Sequence, residues 1–262
     1  MPNPIRLSSQ ELRAVQLVQV EMLKEVHRIC EKNGIKYCII AGTFLGAVRH
    51  KKHIPWDDDA DVAMLREEYE KFAAICQTEI NSEKFYFQDH KKTKGYRWGY
   101  GKIRRKGTDF VRLEQEHMPY EQGIFIDVFP LDYVPEFAPL RGLHCLFCFA
   151  IRKMLWFSAK NRLIEKIPLP FFFFFYNILT KAKPTSLVRI LTFPTPKNRI
   201  YAYKAKWYKE LSEIEFDGCK FPCPRDGDEY LTFKFGNYME LPPENERKTH
   251  PISKFTFLLY PK

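Results

Sequence analysis

The sequence predicts an α/β fold in which a mixed β-sheet is flanked by helices. Residues 8–33 show apolar side chains at helical spacing, beginning with a Ser8–Glu11 capping pattern. Between residues 35 and 129, short β-branched or aromatic runs alternate with helical patterns and form no internal repeat. A hydrophobic content of 45% with 28% charged residues is typical of a globular protein. Together these observations indicate a compact α/β unit.

The predicted elements follow one another at short intervals. Asn33-Gly34 ends the first helix, because both residues tolerate a left-handed cap. In chain order the elements are a helix at 8–33, a strand at 35–41, a helix at 43–50, a strand at 59–64, a helix at 66–80, and strands at 85–88, 98–104 and 124–129.

Length, cysteines and hydropathy restrict the class of protein. The 262 residues suffice for one domain with a large insertion. The seven cysteines are odd in number and lack a framework spacing, and residues 1–9 lack the apolar core of a secretory signal. Both features favour a reducing compartment, so we expect a cytoplasmic protein. Since no run reaches eighteen apolar residues, a membrane-spanning helix is not expected.

Residues 140–209 differ from the rest of the chain in composition. They contain fourteen Lys or Arg and one acid, Glu165, and therefore carry +13, whereas the whole chain carries +10 and the remainder −3. Fifteen aromatic residues are interleaved with these cations. We predict an α/β core at 1–139, an aromatic and basic, mainly helical insertion at 140–209, and a C-terminal segment at 210–262 that packs back on the core.

An aromatic and basic segment is compatible with three roles. The first is structural, a helical layer with core aromatics and a basic rim. The second is binding to an anionic membrane surface, with Phe and Trp buried and Lys/Arg at the headgroups. The third is binding to nucleic acid through stacking and phosphate contacts. Of the two functional alternatives we favour peripheral contact with the inner face of the membrane over nucleic acid.

Four acids lie within the five residues Asp57-Asp58-Asp59-Ala60-Asp61. On a strand, Asp59 and Asp61 point to the same face because side chains alternate. Two carboxylates on one face form a site for a hard divalent cation such as Mg²⁺ or Mn²⁺. The alternative is a solvated acidic turn after Pro55. The apolar residues that follow directly, Val62-Ala63-Met64, favour the metal site.

Two further motifs support this interpretation. Gly42-Thr43 lies between the predicted strand and helix, where glycine lets the backbone approach a phosphate and the first helical amides donate to it. Asp127 lies within the apolar strand 124–129, where an unpaired carboxylate is costly. We favour a metal ion as its partner, which makes Asp127 a third ligand and a candidate base for an attacking hydroxyl. The alternative is that Asp127 caps a neighbouring element.

Three of these segments together resemble the signature of the nucleotidyltransferase superfamily. They are Ala41-Gly42-Thr43, Asp59-Ala60-Asp61-Val62 and Ile126-Asp127-Val128. The resemblance implies a nucleotidyltransferase-like mixed sheet in the core.

More narrowly, the chain is similar to the LicD family, which includes bacterial phosphocholine transferases and the fukutin-related proteins. The similarity reaches both ends of the chain and is weakest across 140–209. The chain departs from the family at Lys52 and His53, where Gly and an aromatic are common, and at Ala60, where a bulkier aliphatic is usual. The similar segments are 41–64 (AGTFLGAVRHKKHIPWDDDADVAM), 123–132 (GIFIDVFPLD) and 230–251 (YLTFKFGNYMELPPENERKTHP).

The LicD resemblance implies transfer of phosphocholine or a similar phosphoalcohol from a CDP-linked donor to a hydroxyl of a cell-surface glycan precursor. Such acceptors belong to lipopolysaccharide or teichoic acid and are often lipid-linked. Asp59, Asp61 and Asp127 match the metal-binding acids of the family. Asp57 matches a further acid of the same motif.

Basic residues near these motifs are expected to neutralise the donor diphosphate. Arg49 follows Gly42-Thr43 on the predicted helix, and Lys102 and Arg104 are two apart on a predicted strand. A solvated role is the alternative for all three cations. Two other functions remain open: a nucleotidyltransferase that releases pyrophosphate from a nucleoside triphosphate, and a non-catalytic module that binds membrane or nucleic acid. The three acids of the metal set argue against the non-catalytic module.

Overall fold

A computed structural model describes residues 4–160, 169–194, 196, 200–247 and 249–257. The helices are α1 (Ser9–Lys32), α2 (Ala41–His50), α3 (Arg66–Glu79), α4 (Ala138–Lys160), α5 (Leu169–Leu179), α6 (Lys206–Lys209) and α7 (Gly227–Phe235). The strands are β1 (Cys38–Ile39), β2 (Asp61–Leu65), β3 (Phe85–Gln88), β4 (Gly101–Arg105), β5 (Thr108–Arg112), β6 (Phe125–Tyr133), β7 (Leu187–Arg189), β8 (Tyr203–Lys204), β9 (Leu211–Phe216), β10 (Cys219–Pro224) and β11 (Ile252–Phe257).

A mixed sheet forms the centre of the molecule, which confirms the predicted fold class. Its strands are ordered β1-β2-β6-β4-β3, and β7 continues it from β6, with β8 next to β7. β2 and β6 run parallel, while β6 pairs antiparallel with β4. β6 is the longest strand, and eight of its nine residues are buried. Since β6 contains Asp127, the candidate site lies against the longest strand of the sheet.

The first helix begins as predicted. Ser8 accepts a hydrogen bond from the Glu11 backbone, and the Glu11 carboxylate accepts one from the Ser8 backbone, so the capping box is complete. Asn33 caps the other end, and Gly34 follows with a φ of 63°, as expected for a left-handed cap. The buried face of α1 packs against α3 and β6.

The boundaries around the acidic motif differ from the prediction. The strand predicted at 35–41 is paired only at Cys38–Ile39, and α2 already begins at Ala41. β2 begins at Asp61, so Asp59 lies in the preceding loop, and the prediction that it alternates with Asp61 on one strand is wrong. The reason is the pairing partner: the ladder between β2 and β6 begins at the Asp61–Asp127 pair.

The segment 140–209 is mainly helical but also adds to the sheet. α4 and α5 pack on each other, and β7 then pairs with the end of β6. The C-terminal segment provides the β9–β10 hairpin, α7 and β11, which pairs with β5. The division into three parts remains a prediction.

All seven cysteines are free thiols. Within the part of the chain that the structure describes, every helix is too short or too polar to cross a membrane.

Candidate active site

Strand register brings the predicted acids together. Asp61, the first residue of β2, lies opposite Asp127 on the parallel neighbour β6. The Asp127 backbone N–H donates to the Ala60 carbonyl at 2.9 Å, which holds the preceding loop against β6. Asp57 and Asp59 belong to this loop, and both interact electrostatically with Asp61. Four carboxylates that are up to seventy residues apart in sequence therefore converge on one site.

The carboxylates perturb one another strongly. Burial raises the pKa of Asp61 well above its usual range, and the negative charges of Asp59, Asp127 and Asp57 raise it further. Burial also raises the pKa of Asp57, again assisted by Asp59 and Asp58. Burial is the larger cause at both residues, and repulsion between neighbouring carboxylates adds to it. Such a cluster suits a hard divalent cation, which prefers carboxylate oxygens.

The N-terminus of α2 positions two of the acids. A Cβ atom on Gly42 would lie 2.5 Å from the Asp57 Oδ2 atom, so only glycine leaves room for that carboxylate. The buried Thr43 hydroxyl accepts a hydrogen bond of 2.8 Å from the Asp61 backbone N–H. Gly42 and Thr43 were predicted to contact a donor phosphate. In the structure their contacts are with the acids, and a phosphate contact remains a prediction.

A protein cation contacts Asp127. Lys102 lies opposite Asp127 in the β4–β6 ladder, and the two buried side chains form an ion pair. Burial lowers the pKa of Lys102 to about 8, and the carboxylate of Asp127 opposes that shift. The Lys102 ammonium also lies 3.6 Å from the centre of the Phe125 ring. Lys102 therefore offsets the charge of Asp127.

Lys102 and Arg104 line one cavity, as expected for residues two apart on a strand. The cavity has a volume of about 150 Å³, and Arg112 and Trp98 also line it. The buried Arg104 guanidinium donates to the Gln88 side chain and to the Gly123 carbonyl, both at 2.9 Å. Arg112 lies 3.6 Å from Asp59. Three cations thus flank the acids on this side.

Two further cavities border the site. Asp61 lines one of about 280 Å³, together with Lys234, Arg189 and several aromatic side chains. The other has about 260 Å³ and shares residues with both neighbours. Its lining consists of Trp98, Tyr100, Arg152, Lys153, Trp156, Thr192, Phe193 and Pro194.

Arg49 contacts the C-terminal segment. Its guanidinium donates to the carbonyls of Tyr238 at 2.8 Å and Glu240 at 3.2 Å. Burial lowers the pKa of Arg49, and the nearby Arg247 lowers it further. These contacts join α2 to the chain after α7, and phosphate binding by Arg49 remains a prediction.

His250 fastens the C-terminal segment to the acidic motif. Its backbone N–H and its Nδ1 atom lie 2.9 and 2.7 Å from the two oxygens of the buried Asp58 carboxylate. Among the described residues, Asp58, Asp59 and His250 form the one group of three candidate ligands whose atoms all lie within 4.8 Å. Because Asp58 already contacts the backbone N–H and the Nδ1 atom of His250, we interpret this group as a clamp. Among the described residues, the predicted set of Asp59, Asp61 and Asp127 does not meet this distance.

Comparisons with known sequences identify similar proteins. The family model described as the LicD/FKTN/FKRP nucleotidyltransferase domain matches residues 34–139. The lipopolysaccharide cholinephosphotransferase LicD of Haemophilus influenzae is 28% identical over 263 aligned positions, which cover 93% of this chain and 97% of that protein. An uncharacterised protein of Rickettsia typhi is 43% identical over 70 positions, 27% of this chain and 22% of that protein. Residues 34–139 therefore match the LicD-family domain, and nearly the whole chain is similar to a LicD cholinephosphotransferase.

The LicD-family domain includes every acid of the site. Asp57, Asp59, Asp61 and Asp127 lie within the matched residues, as do Lys102 and Arg104. The sequence prediction of a LicD-family enzyme is therefore confirmed, while the roles of the individual residues remain predictions.

Sequence reasoning missed two cations of the candidate site. Arg112 lies on β5, a strand that was not predicted because its residues TDFVR do not alternate in polarity. Lys234 lies on α7, and its positive charge lowers the pKa of Asp61 against the larger opposing effects. No local pattern marks Lys234, because α7 meets α2 only through the tertiary fold.

Proposed function

We propose that this protein transfers phosphocholine from CDP-choline to a hydroxyl of a lipopolysaccharide-type glycan, with Mg²⁺ or Mn²⁺ as cofactor. The similarity to the Haemophilus influenzae lipopolysaccharide cholinephosphotransferase along nearly the whole chain supports the donor group and the acceptor class. In the reaction the acceptor oxygen forms a bond to the choline-bearing phosphorus. The bond from that phosphorus to the bridging oxygen breaks, and CMP leaves.

The observation that carries the proposal is the convergence of four acids where β2 pairs with β6. The raised pKa values of Asp57 and Asp61 reflect burial together with mutual repulsion, and a divalent cation would relieve that repulsion. Asp59, Asp61 and Asp127 are the proposed ligands. When bound, the ion would polarise the phosphate oxygens and offset their charge.

The protein's own side chains supply the remaining positioning. Phosphoryl transfer depends mainly on alignment and on charge neutralisation. Lys102, Arg104 and Arg112 line the cavity beside Asp59 and Asp127 and would bind the non-bridging oxygens of the donor. Asp127, held by Lys102, would accept the proton of the acceptor hydroxyl.

The adjoining aromatic cavity suits the choline headgroup. Trp98, Tyr100 and Phe193 line it, with the Tyr100 and Phe193 rings 6.0 Å apart in an edge-to-face contact. Aromatic faces attract a quaternary ammonium through their electron density. Trp98 and Tyr100 also line the basic cavity, so a headgroup here would keep its phosphate near the cations.

The test measures product formation from a panel of donors. Purified protein is incubated with Mg²⁺ and CDP-choline, CDP-ethanolamine, CDP-glycerol or CDP-ribitol, and with CTP or ATP for pyrophosphate release. We expect CMP from CDP-choline, loss of activity with EDTA, and recovery with Mg²⁺ or Mn²⁺. Asp61→Asn and Asp127→Asn should each lower kcat/KM at least about a hundredfold, because several kcal/mol of charge stabilisation are lost.

Asp226→Asn is the matched control. Asp226 is an exposed carboxylate paired with Lys206, so the same chemical change there should leave activity unchanged. Pyrophosphate release from a triphosphate, without CMP from any CDP donor, would contradict the proposal and favour a nucleotidyltransferase. CMP release from a different CDP donor alone would support the transferase activity but exclude choline as the transferred headgroup.

A further inference from the structure

The paired helices α4 and α5 have a fully occupied inner side. Ile151 and Leu155 of α4 pack with Phe172 of α5, and Cys148 packs with Phe173 and Tyr176. The Tyr176 hydroxyl donates to the Gly99 carbonyl at 2.7 Å and accepts from Arg66 at 2.7 Å. The pair is therefore anchored to the core, and these contacts determine which side faces outward.

The outer face of the pair is apolar to an unusual degree. On α4, the exposed residues Leu140, Leu143 and Phe147 recur at helical spacing. The exposed apolar residues of α5 do the same: Phe171, Phe174, Phe175 and Ile178. The exposed fraction reaches 61% at Leu146 on α4 and 62% at Phe174 on α5. A soluble monomer rarely exposes so large a contiguous apolar surface without a partner. The outer face consists of Leu140, Leu143, Leu146, Phe147, Phe149, Met154, Trp156, Phe157, Phe171, Phe174, Phe175 and Ile178.

Positive charge surrounds this outer face. Neither α4 nor α5 contains an acidic residue. Lys153 lies 5.6 Å from the centres of the Phe149 and Trp156 rings, and Arg152 lies 5.3 Å from Phe149. Lys181 and Lys183 are exposed just beyond the end of α5. The partner must therefore accept apolar side chains and also carry negative charge.

We propose that the outer face of α4 and α5 binds the surface of an anionic lipid bilayer. α5 has eleven residues and is about 16 Å long, so it would lie in the interface and not cross it. Apolar side chains would enter the acyl boundary, and the cations would contact anionic headgroups.

The alternatives fit this surface less well. A second copy of the chain would bring two basic faces together, and like charges repel. Nucleic acid bases stack on aromatic rings, whereas five of the twelve outer-face residues are aliphatic: Leu140, Leu143, Leu146, Met154 and Ile178. A bilayer interface accommodates both aliphatic and aromatic side chains.

The outer face is continuous with the candidate active site. Arg152, Lys153 and Trp156 of α4 line the same cavity as Trp98 and Tyr100 of the core. Bound at a bilayer, the protein would hold this cavity beside the membrane surface. If the proposed function is correct, that position would deliver a lipid-linked acceptor to the site, although bilayer binding does not itself depend on catalysis.

The test is vesicle flotation of the full-length protein. Vesicles contain phosphatidylcholine alone or phosphatidylcholine with phosphatidylglycerol, each at low and at high salt. We expect flotation with the anionic vesicles, weakened by salt. Phe147→Glu/Phe174→Glu should reduce the bound fraction at least about tenfold, because the variant lacks two phenyl rings that would enter the bilayer. Lys181→Glu/Lys183→Glu should reduce binding to anionic vesicles several-fold.

Met239→Glu/Leu241→Glu is the matched control, since these exposed apolar residues lie outside the outer face and should leave flotation unchanged. Circular dichroism checks that each variant is folded. No flotation with either vesicle, or equal loss in the control, would overturn the proposal. A dimer that Phe147→Glu/Phe174→Glu dissociates, or a nucleic-acid gel shift that it abolishes while vesicles do not bind, would also overturn it. Donor cleavage is measured separately, so the two proposals can fail independently.

Discussion

At the scale of single residues, the candidate site depends on small side chains as much as on acids. Gly42 leaves the space that the Asp57 carboxylate fills, and the Thr43 hydroxyl holds the backbone of Asp61. Lys102 balances Asp127 without balancing the other carboxylates. Neighbouring residues therefore position the acids, and misplacing an acid should affect activity more than stability.

Gly42→Ala tests this conclusion. The new methyl group would lie 2.5 Å from Asp57 Oδ2, and the carboxylate would have to move. We expect kcat/KM to fall roughly tenfold to a hundredfold, since a displacement of this size misaligns the site. The free energy of unfolding should change little, because the displaced atom ends a side chain. Both quantities are measured on the purified variant, by CMP release and by urea unfolding.

Gly142→Ala is the control for that substitution. Gly142 lies in α4, and a Cβ atom there has nothing within 4 Å. Activity should be unchanged, and stability should rise by about 0.5–1 kcal/mol. Full activity in Gly42→Ala would show that Asp57 can move without consequence.

At the scale of elements, α5 docks on the core through aromatic contacts. The His90 ring stacks on Phe173 with centroids 3.9 Å apart, and Tyr176 lies at its edge. Burial lowers the pKa of His90 to about 4, and the positive charges of Lys91 and Arg66 assist. The stack therefore requires a neutral imidazole, so docking of α5 should depend on pH.

His90→Phe tests that dependence. Between pH 6.5 and about 4 the unfolded chain binds a proton at His90 that the native state does not. The contribution of the neutral His90 ring to the free energy of unfolding is complete above pH 6.5 and decreases as the pH falls. From pH 7 to pH 5 the wild type should lose about 2 kcal/mol more than His90→Phe, which keeps an aromatic ring but cannot titrate. Urea unfolding at both pH values measures the difference, and equal losses would reject the His90 contribution.

At the scale of the whole molecule, the two ends of the chain meet around the site. Ile5 forms a β-bridge with Ile252, and β11 pairs with β5, which carries Arg112. Just before β11, His250 binds the buried Asp58 carboxylate beside the candidate acids. The C-terminal segment therefore packs against the acidic motif, and detaching this segment should destabilise β5.

His250→Ala should detach that segment in part. The buried Asp58 carboxylate loses a hydrogen bond, which should cost about 2 kcal/mol of unfolding free energy. Backbone amides of β5 should exchange hydrogen faster than in the wild type. Lys254→Ala, in the same segment, removes only an exposed ion pair with Asp109 and should cost less than about 1 kcal/mol. Similar effects from both substitutions would argue against a clamp at His250.

Much of the fold was predictable because its signals are local. The capping box of α1, the helical spacing that follows it, and strand β3 appear in the structure as predicted. β5 and β11 were missed, since they pair with each other across a long stretch of sequence. The beginning of β2 was misplaced by two residues because the ladder with β6, and not the polarity pattern, determines where pairing starts.

By itself the sequence determined the fold class, the family and the residues Asp57, Asp59, Asp61 and Asp127 as the candidate acids. Those properties reside in local spacing and in short motifs. The tertiary structure alone decided which cations meet those acids. Lys102 faces Asp127, Arg112 approaches Asp59, and Arg49 binds the C-terminal segment. The physical reason is that such pairs form between distant parts of the chain, where strand register and burial, and not local pattern, determine the distance between two charges.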